Sequence, residues 1–169
     1  MKTLFLLISI TIISFANIFD ITNLKADFKQ TIKNNSSSNI SYKGTIVLNE
    51  NNILWHYNEP IKNVYISNSK VIIDEPELEQ AIISNIDEEL NLLNILKESK
   101  KIDNKTYENT LNNIVYTIKI YEEKLQAIFY TDELENKVSI IFTNVKVNTK
   151  VDNSIFVFNA PSYYDIIRK

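Results

Sequence analysis

Apolar and polar residues alternate with a period of two from Ile40 to Asp74. This pattern is typical of antiparallel strands that bury one face. Four segments follow it, and turn-forming residues such as Pro60 and the pair Asn68-Ser69 separate them. Their more apolar positions are Tyr42, Gly44, Ile46 and Leu48, then Ile53, Trp55 and Tyr57, then Val64 and Ile66, and lastly Val71 and Ile73. We therefore predict four short antiparallel strands joined by tight turns.

The two-residue period returns after Lys100-Lys101 and continues almost to the end of the chain. Its apolar positions are Ile114, Tyr116, Ile118 and Ile120; Leu125, Ala127 and Phe129; Val138, Ile140 and Phe142; Val145 and Val147; and Phe156 and Phe158. Both halves together predict about nine to eleven antiparallel strands, and a twisted sheet of that size curls into a barrel or half-barrel.

Three segments carry helical signals. Ile21, Leu24, Phe28 and Ile32 recur at three- and four-residue spacing, which predicts an amphipathic helix over about residues 19 to 34. A second short helix is predicted over 77–83, after Pro76. A third begins at Asp87, where a good N-cap precedes an apolar arc that includes Leu90, Leu93 and Leu96. This last helix is either an ordinary core element or a lid between the sheet and an apolar ligand. The fold class is thus mainly β with helices (α+β).

The first sixteen residues have the composition of a secretory signal peptide. Lys2 precedes an apolar run from Leu4 to Phe15, and Ser14 and Ala16 occupy the small positions of a cleavage site. A membrane anchor is the competing interpretation, but the run of about 12 residues is short of the roughly 20 that span a bilayer. We therefore expect cleavage after Ala16 and a single domain over residues 17–169.

Composition excludes several classes of function. The chain has no Cys, so it forms neither disulfides nor thiolate metal sites. Gly44 is the only glycine, which excludes the glycine-rich phosphate loops. A net charge of −3 with a single Arg argues against nucleic-acid binding. Because Asn tolerates positive φ, we expect it to replace Gly in many turns.

No group of residues forms a recognisable catalytic or metal site, and we predict neither an enzyme nor a bound cofactor or metal. His56 is the only histidine and lies on a predicted strand opposite Trp55, so we interpret it as structural or exposed. The acidic residues Asp74, Glu75, Glu77 and Glu79 surround Pro76 without the spacing of a calcium loop, and we interpret them as a solvated loop. A secreted hydrolase stays open as a minor alternative.

The order of these motifs resembles the LolA family of periplasmic carriers of outer-membrane lipoproteins. "LKADFKQTI" is similar to the family's Ala-Phe-x-Gln pattern, and "YKGTIVL" supplies the glycine of a first strand. "ILWHYNEP" matches the family's aromatic-x-Trp-x-Tyr-x-x-Pro, and "FVFNAPSYYDII" matches its closing segment. The matching residues are Ala26, Phe28, Gln30, Gly44, Ile53, Trp55, Tyr57, Pro60, Asn68, Pro76, Leu78, Gln80, Phe156, Phe158, Pro161 and Asp165.

The resemblance implies an incomplete antiparallel β-barrel covered by a lid of short α-helices, with a cavity for acyl chains between them. It implies a monomer in the periplasm that accepts acylated lipoproteins from an ATP-driven transporter of the inner membrane and delivers them to the outer membrane, through an acceptor if one is present. We expect the acyl-chain cavity to be formed by Leu24, Phe28, Ile53, Trp55, Tyr57, Ile66, Ile73, Leu90, Leu93, Leu96, Phe129, Ile140 and Phe142.

One position departs from the family pattern. The family commonly carries an Arg just before the Trp strand, where it ties the lid shut, but this chain has Leu48-Asn49-Glu50. Asn49 can form hydrogen bonds but lacks the guanidinium's fork of donors. An alternative function for the same architecture is a periplasmic domain that binds lipid or senses envelope stress.

Overall fold

The computed structural model describes residues 21–34, 39–49, 51–67, 70–85 and 92–169, apart from the side chains of residues 93 and 94. The predicted signal peptide, the Asn68-Ser69 turn and the start of the third predicted helix lie outside these residues. Within them, twelve strands form one open sheet. The expectation of a mainly β fold is therefore confirmed, with slightly more strands than the pattern predicted.

The strands are numbered in chain order. The first six are β1 (Asn23–Lys33), β2 (Asn39–Asn49), β3 (Asn52–Tyr57), β4 (Lys62–Ser67), β5 (Lys70–Glu75) and β6 (Gln80–Asn85). The others are β7 (Lys100–Lys101), β8 (Thr106–Leu111), β9 (Ile114–Tyr121), β10 (Lys124–Thr131), β11 (Lys137–Val147) and β12 (Asp165–Arg168). An α-helix, α1 (Leu92–Lys97), lies between β6 and β7, and two 3₁₀ turns span Pro76–Leu78 and Asn153–Phe156.

The sheet consists of two antiparallel meanders joined at its centre. Its order is β12-β6-β5-β4-β3-β2-β1-β11-β10-β9-β8-β7, so β1 pairs with both β2 and β11. Nearly all neighbours are antiparallel; β12 pairs in parallel with β6 and closes one edge. The last long strand, β11, therefore pairs with the first strand, β1.

The predicted helix over residues 19 to 34 is wrong, because this segment forms β1. The four-residue spacing of Leu24, Phe28 and Ile32 is also a multiple of two, and Ala26 fills the position between the first two. Leu24, Ala26 and Phe28 are all buried on one face of the strand, while Lys25 and Lys29 are exposed on the other. Alternation and pairing with β2 and β11 therefore outweigh the helical spacing.

Two further predictions are corrected in the irregular regions. The short helix predicted over 77–83 is instead a 3₁₀ turn that ends at Glu79, in left-handed conformation, followed by β6. Phe156 and Phe158 do not form a strand, because a 3₁₀ turn occupies Asn153–Phe156 and the Asp152 carboxylate accepts a hydrogen bond from the Ser154 amide.

Helical cover is smaller than the resemblance implied. Among the described residues, α1 is the single α-helix, and a lid of several helices is not shown. None of the described helices is long and apolar enough to cross a membrane.

Asparagine replaces glycine in turns, as expected. Asn112 and Asn113 have positive φ and form the turn between β8 and β9, and Asn148 has positive φ just after β11. Asn144 also has positive φ but lies within β11, where the register with β1 shifts. Glutamates also adopt this conformation, which composition did not predict; Glu122 and Glu123 connect β9 to β10 in this way.

Gly44 lies where β2 approaches β3 and the ring of Phe28 most closely. A Cβ atom built on Gly44 would lie 1.8 Å from the backbone carbonyl oxygen of His56 and 2.9 Å from Cε1 of Phe28. Phe28 is the direct cross-strand partner of Gly44, so its ring lies over the space that a side chain would fill. Gly44 does not have a positive φ, so its backbone conformation does not require glycine. Glycine is required here because any side chain would clash with β3.

We expect Gly44→Ala to lower the free energy of unfolding by about 3 kcal/mol, because the clash involves backbone that cannot rotate away. Urea denaturation followed by circular dichroism measures this loss. Lys43→Ala, at the exposed neighbouring position, serves as the control and should change stability by less than about 0.5 kcal/mol. Equal stability of the two variants would contradict the packing described for Gly44.

Candidate functional site

A cavity of about 310 Å³ lies between α1 and the inner face of the sheet, the face that carries Leu24, Ala26 and Phe28. Strands from both meanders and α1 contribute to its wall. The lining residues are Gln30, Trp55, Tyr57, Val64, Ile66, Val71, Leu92, Ile95, Tyr116, Ile128, Tyr130 and Ile140. Its volume is at the lower end of the range for small-molecule sites.

The cavity exists because the sheet curls. Val71 is on β5 and Tyr116 is on β9, and these strands are seven places apart in the sheet order. In a flat sheet they would be roughly 34 Å apart, at about 4.8 Å per strand. Both residues line the same small cavity. The two meanders therefore bend toward each other, as expected for a long twisted sheet.

Aromatic rings form the base of the cavity. The Phe28 ring centroid lies 4.9 Å from that of Trp55 and 5.2 Å from that of Tyr57, in edge-to-face geometry in both pairs. Trp55 also lies 6.4 Å from Phe142, and Tyr116 lies 5.0 Å from Tyr130. Edge-to-face pairs stabilise ring positions beyond simple burial. The base is thus a connected aromatic layer supported by the core.

The polar groups of the described cavity wall are uncharged. The hydroxyl of Tyr57 donates a hydrogen bond to Oε1 of Gln30 over 3.3 Å. Burial raises the pKa of Tyr57 to about 12, and the neighbouring Tyr42 adds to the shift. Burial, followed by Tyr116 and Tyr57, raises the pKa of Tyr130 to about 12 as well. Both phenols therefore stay neutral at physiological pH, and the described wall suits an apolar ligand.

Helix α1 covers the cavity, and its described contacts with the sheet are mainly apolar. Leu92, Ile95 and Leu96 are buried against the core. The side-chain amide of Asn109, on β8, donates to the carbonyl of Ile95 over 3.1 Å. The hydroxyl of Ser99 donates to the carbonyl of Leu96 over 2.7 Å and satisfies the end of the helix. A six-residue helix is too short to be stable alone, so its position depends on these contacts.

Eleven of the thirteen residues predicted for the cavity fall into three groups. Trp55, Tyr57, Ile66 and Ile140 line it. Five others are buried in the core around it: Leu24, Phe28, Ile53, Leu96 and Phe142. Leu90 and the side chain of Leu93 lie outside the described residues. Their predicted role in binding acyl chains stays a prediction for all of them.

Two predicted residues lie away from the cavity. Ile73 is half-buried on β5, on the same face as Val71 and opposite Val64, but unlike these two it does not line the cavity. Phe129 lies on the outer face and is 37% exposed. The pairing of β10 with β9 shifts between Leu125 and Ala127, so Ile128 and not Phe129 continues the inner face.

Several residues that line the cavity were not predicted from the sequence. Most of them follow the alternation of apolar positions and could have been found from it. Val64 and Val71 alternate in phase with Ile66 and Ile73 on predicted strands. Tyr116 likewise shares its phase with Ile118. Tyr130 and Ile128 had no such signal, because a bulge cannot be located from alternation alone.

His56 and Asp74 belong to a polar chain on the outer face, away from the cavity. Nδ1 of His56 donates to Oδ1 of Asn63 over 2.7 Å, because Nδ2 of Asn63 donates to Oδ2 of Asp74 over 2.8 Å. Asp74 is only 6% exposed, so the expectation of a solvated loop is wrong for this residue. His56 is half-buried and has the structural role expected of it.

Outer-membrane lipoprotein carrier proteins resemble this chain over most of its length. The family model described as "Outer membrane lipoprotein carrier protein LolA" matches residues 20–117. An outer-membrane lipoprotein carrier protein from Campylobacter jejuni is 36% identical over 155 residues, with 91% of each chain covered. One from Wolinella succinogenes is 30% identical over 172 residues and covers both chains completely. One from Helicobacter pylori is 31% identical and covers 89% of this chain and 82% of its own.

Solved structures share the fold. A LolA superfamily protein from Nitrosomonas europaea aligns with a TM-score of 0.50 at 10% identity, covering 83% of this chain and 92% of its own. An uncharacterized conserved protein from Thermus thermophilus aligns with a TM-score of 0.54 at 9% identity, covering 89% and 93%. At these identities the likeness concerns architecture alone.

The two buried phenols predict a loss of stability in alkaline solution. The folded chain keeps protons on Tyr57 and Tyr130 up to about pH 12, whereas an unfolded tyrosine loses its proton near pH 10. The free energy of unfolding therefore falls as the pH rises from about 10 to 12. We expect Tyr57→Phe/Tyr130→Phe to lose about 2 to 3 kcal/mol less than wild type between about pH 8 and about pH 11 in urea titrations. Tyr121→Phe, at an exposed phenol, should lose as much as wild type; an identical loss in all three proteins would refute the assignment.

Proposed function

The chain belongs to the LolA family of outer-membrane lipoprotein carrier proteins, and we propose that it binds the acyl chains of lipoproteins in the cavity beneath α1 and carries them across the periplasm. The observation that supports this site most directly is the described cavity wall, which combines aliphatic and aromatic side chains with neutral phenols. The role requires binding and release but no chemical step.

The energetics explain why a carrier needs such a cavity. Exposing acyl chains to water costs about 0.8 kcal/mol for each CH₂ group, so a lipoprotein with several chains does not cross an aqueous compartment unaided. A cavity that replaces water with apolar side chains removes most of this cost. Release then requires an acceptor environment at least as apolar as the cavity.

Loading requires α1 to move. The cavity of about 310 Å³ is smaller than the combined volume of several acyl chains. The sheet is hydrogen-bonded along its length, whereas α1 is attached to β8 by the bond between Asn109 and Ile95 and by burial of its apolar face. Displacement of α1 is therefore the least costly way to enlarge the site.

The hydrogen bonds of Asn49 do not attach α1 to the sheet in place of the family's Arg. Nδ2 of Asn49 donates to Oδ1 of Asn153 over 3.0 Å, and its Oδ1 accepts from the backbone amides of Asn51 and Asn52. These bonds attach the turn after β2 to the carboxyl-terminal segment. We infer that the closed position of α1 depends on Asn109 instead.

In this proposal the cargo moves from the inner membrane to the outer membrane. An ATP-driven transporter of the inner membrane supplies the lipoprotein, and the outer membrane, with or without a protein acceptor, receives it. Export through the predicted signal peptide over residues 1–16 places the protein between these membranes. A sensing domain is not favoured, because the relatives named as carriers match the chain over most of its length.

We expect Ile66→Glu to reduce binding of a synthetic triacylated lipopeptide at least tenfold, because the substitution puts a carboxylate into the apolar wall. Trp55 is the only tryptophan and lines the same cavity, so its fluorescence reports occupancy without a label. Ile102→Glu is the matched control, since Ile102 is 58% exposed. Equal titration curves for a folded Ile66→Glu protein and wild type would exclude this cavity as the binding site.

Trp55→Glu should likewise abolish loading in cells without impairing export.

We expect Asn109→Ala to loosen α1, because the bond to the carbonyl of Ile95 is lost. Backbone amides of α1 should exchange with deuterium severalfold faster, and the lipopeptide should load faster in the Trp55 assay. Thr110→Ala, at the exposed neighbouring position, should leave both rates unchanged. Unchanged exchange in Asn109→Ala would show that other contacts hold the helix.

A further inference from the structure

The outer face of the sheet centre carries six exposed lysines, which we name the lysine face. Three of them, Lys25, Lys29 and Lys33, lie at every fourth position of β1, so all point away from the core. The neighbouring strands supply the other three. The complete set is Lys25, Lys29, Lys33, Lys43, Lys137 and Lys146.

These lysines are paired with one another across strands. Lys25 is directly opposite Lys146, Lys29 is opposite Lys43, and Lys33 is opposite Lys137. Directly opposed like charges destabilise a sheet. A carboxylate bonded to one of these lysines would offset the repulsion. Asp27, the acidic residue of β1 on this face, instead accepts a hydrogen bond from the side chain of Asn144.

The charge of this face is opposite to that of the whole chain, which is −3. A basic surface on an acidic protein gives a local, oriented attraction rather than general adhesion. Over β4 the outer face is covered instead, because the ring of Tyr65 lies 5.6 Å from that of Phe158 in the carboxyl-terminal segment. Over the central strands the six lysines are exposed.

Exposed apolar side chains lie among the lysines. Ile141 is directly opposite Lys29 and is 41% exposed, and Phe129 is 37% exposed one strand further along. Phe129, Lys33 and Lys137 line a groove of about 540 Å³, together with the hydroxyl residues Thr31 and Ser139. Flexible cationic chains beside aromatic and aliphatic groups match a bilayer surface, which offers mobile anionic headgroups and an apolar boundary.

We propose that the lysine face docks the protein on membranes rich in anionic phospholipid. Lipid phosphates would neutralise the three opposed lysine pairs, and the groove has room for a headgroup. Tyr130 lines both this groove and the cavity beneath α1. Docking near Lys33 and Lys137 therefore brings the cavity close to the bilayer surface.

The test is sedimentation with vesicles of phosphatidylcholine containing about 30% phosphatidylglycerol, at low salt. We expect wild type to bind these vesicles and not pure phosphatidylcholine. Lys25→Gln/Lys29→Gln/Lys33→Gln should reduce the partition coefficient about tenfold or more. The matched control, Lys100→Gln/Lys101→Gln/Lys105→Gln, changes the net charge equally at exposed lysines elsewhere and should bind as wild type. All proteins carry the same amino terminus, so its contribution cancels.

Equal losses in both triple variants would show a general charge effect and overturn the proposal. Binding of wild type to polyglutamate but not to vesicles would also overturn it and assign the face to an acidic protein. The test is independent of the carrier function: the β1 triple variant should bind the lipopeptide normally by Trp55 fluorescence, and Ile66→Glu should still bind the vesicles.

Discussion

Close packing of Phe28 over Gly44 is the constraint on which the site depends. The absence of a Cβ at Gly44 lets the Phe28 ring lie on β2 and meet Trp55 and Tyr57 edge to face. This contact joins β1, β2 and β3 at the base of the cavity. Because β1 also pairs with β11, the same ring lies at the junction of the two meanders that curl toward each other.

The inner face combines a firm base with a weakly attached cover. The base consists of buried aromatic and aliphatic residues on long hydrogen-bonded strands, whereas the cover is a six-residue helix. Among the described contacts, the side-chain hydrogen bond from Asn109 and the apolar face of the helix attach it to the sheet. A carrier needs this difference, since the sheet must keep its shape while the cover admits and releases cargo. Neutral phenols allow the wall to accept apolar chains without burying a charge.

Alternation predicted most strands correctly, because a sheet that buries one face reveals its period in the sequence. The prediction failed where the spacing of apolar residues fits both a helix and a strand. Leu24, Phe28 and Ile32 are four residues apart, which fits a helix, but they lie on one face of β1. The prediction also failed at β10, where a register shift after Leu125 turns Phe129 outward. The residues that β4, β5, β9 and β10 bring together could not be predicted, since the curl of the sheet depends on contacts between distant strands. Trp55 and Tyr57 were found because β3 carries the family's most distinctive motif, and Ile66 because it follows the alternation of β4.

The proposed carrier function places acyl chains in the space between α1 and the inner face. Photo-crosslinking in cells tests it most directly, with a benzophenone amino acid placed at Ile66 in one protein and at Phe129 in another, followed by mass analysis of the adducts. We expect adducts with acylated amino-terminal peptides of lipoproteins at position 66, which lines the cavity, and none at position 129 on the outer face. Adducts with the same acylated peptides at position 129 alone, or equally at both positions, would contradict it.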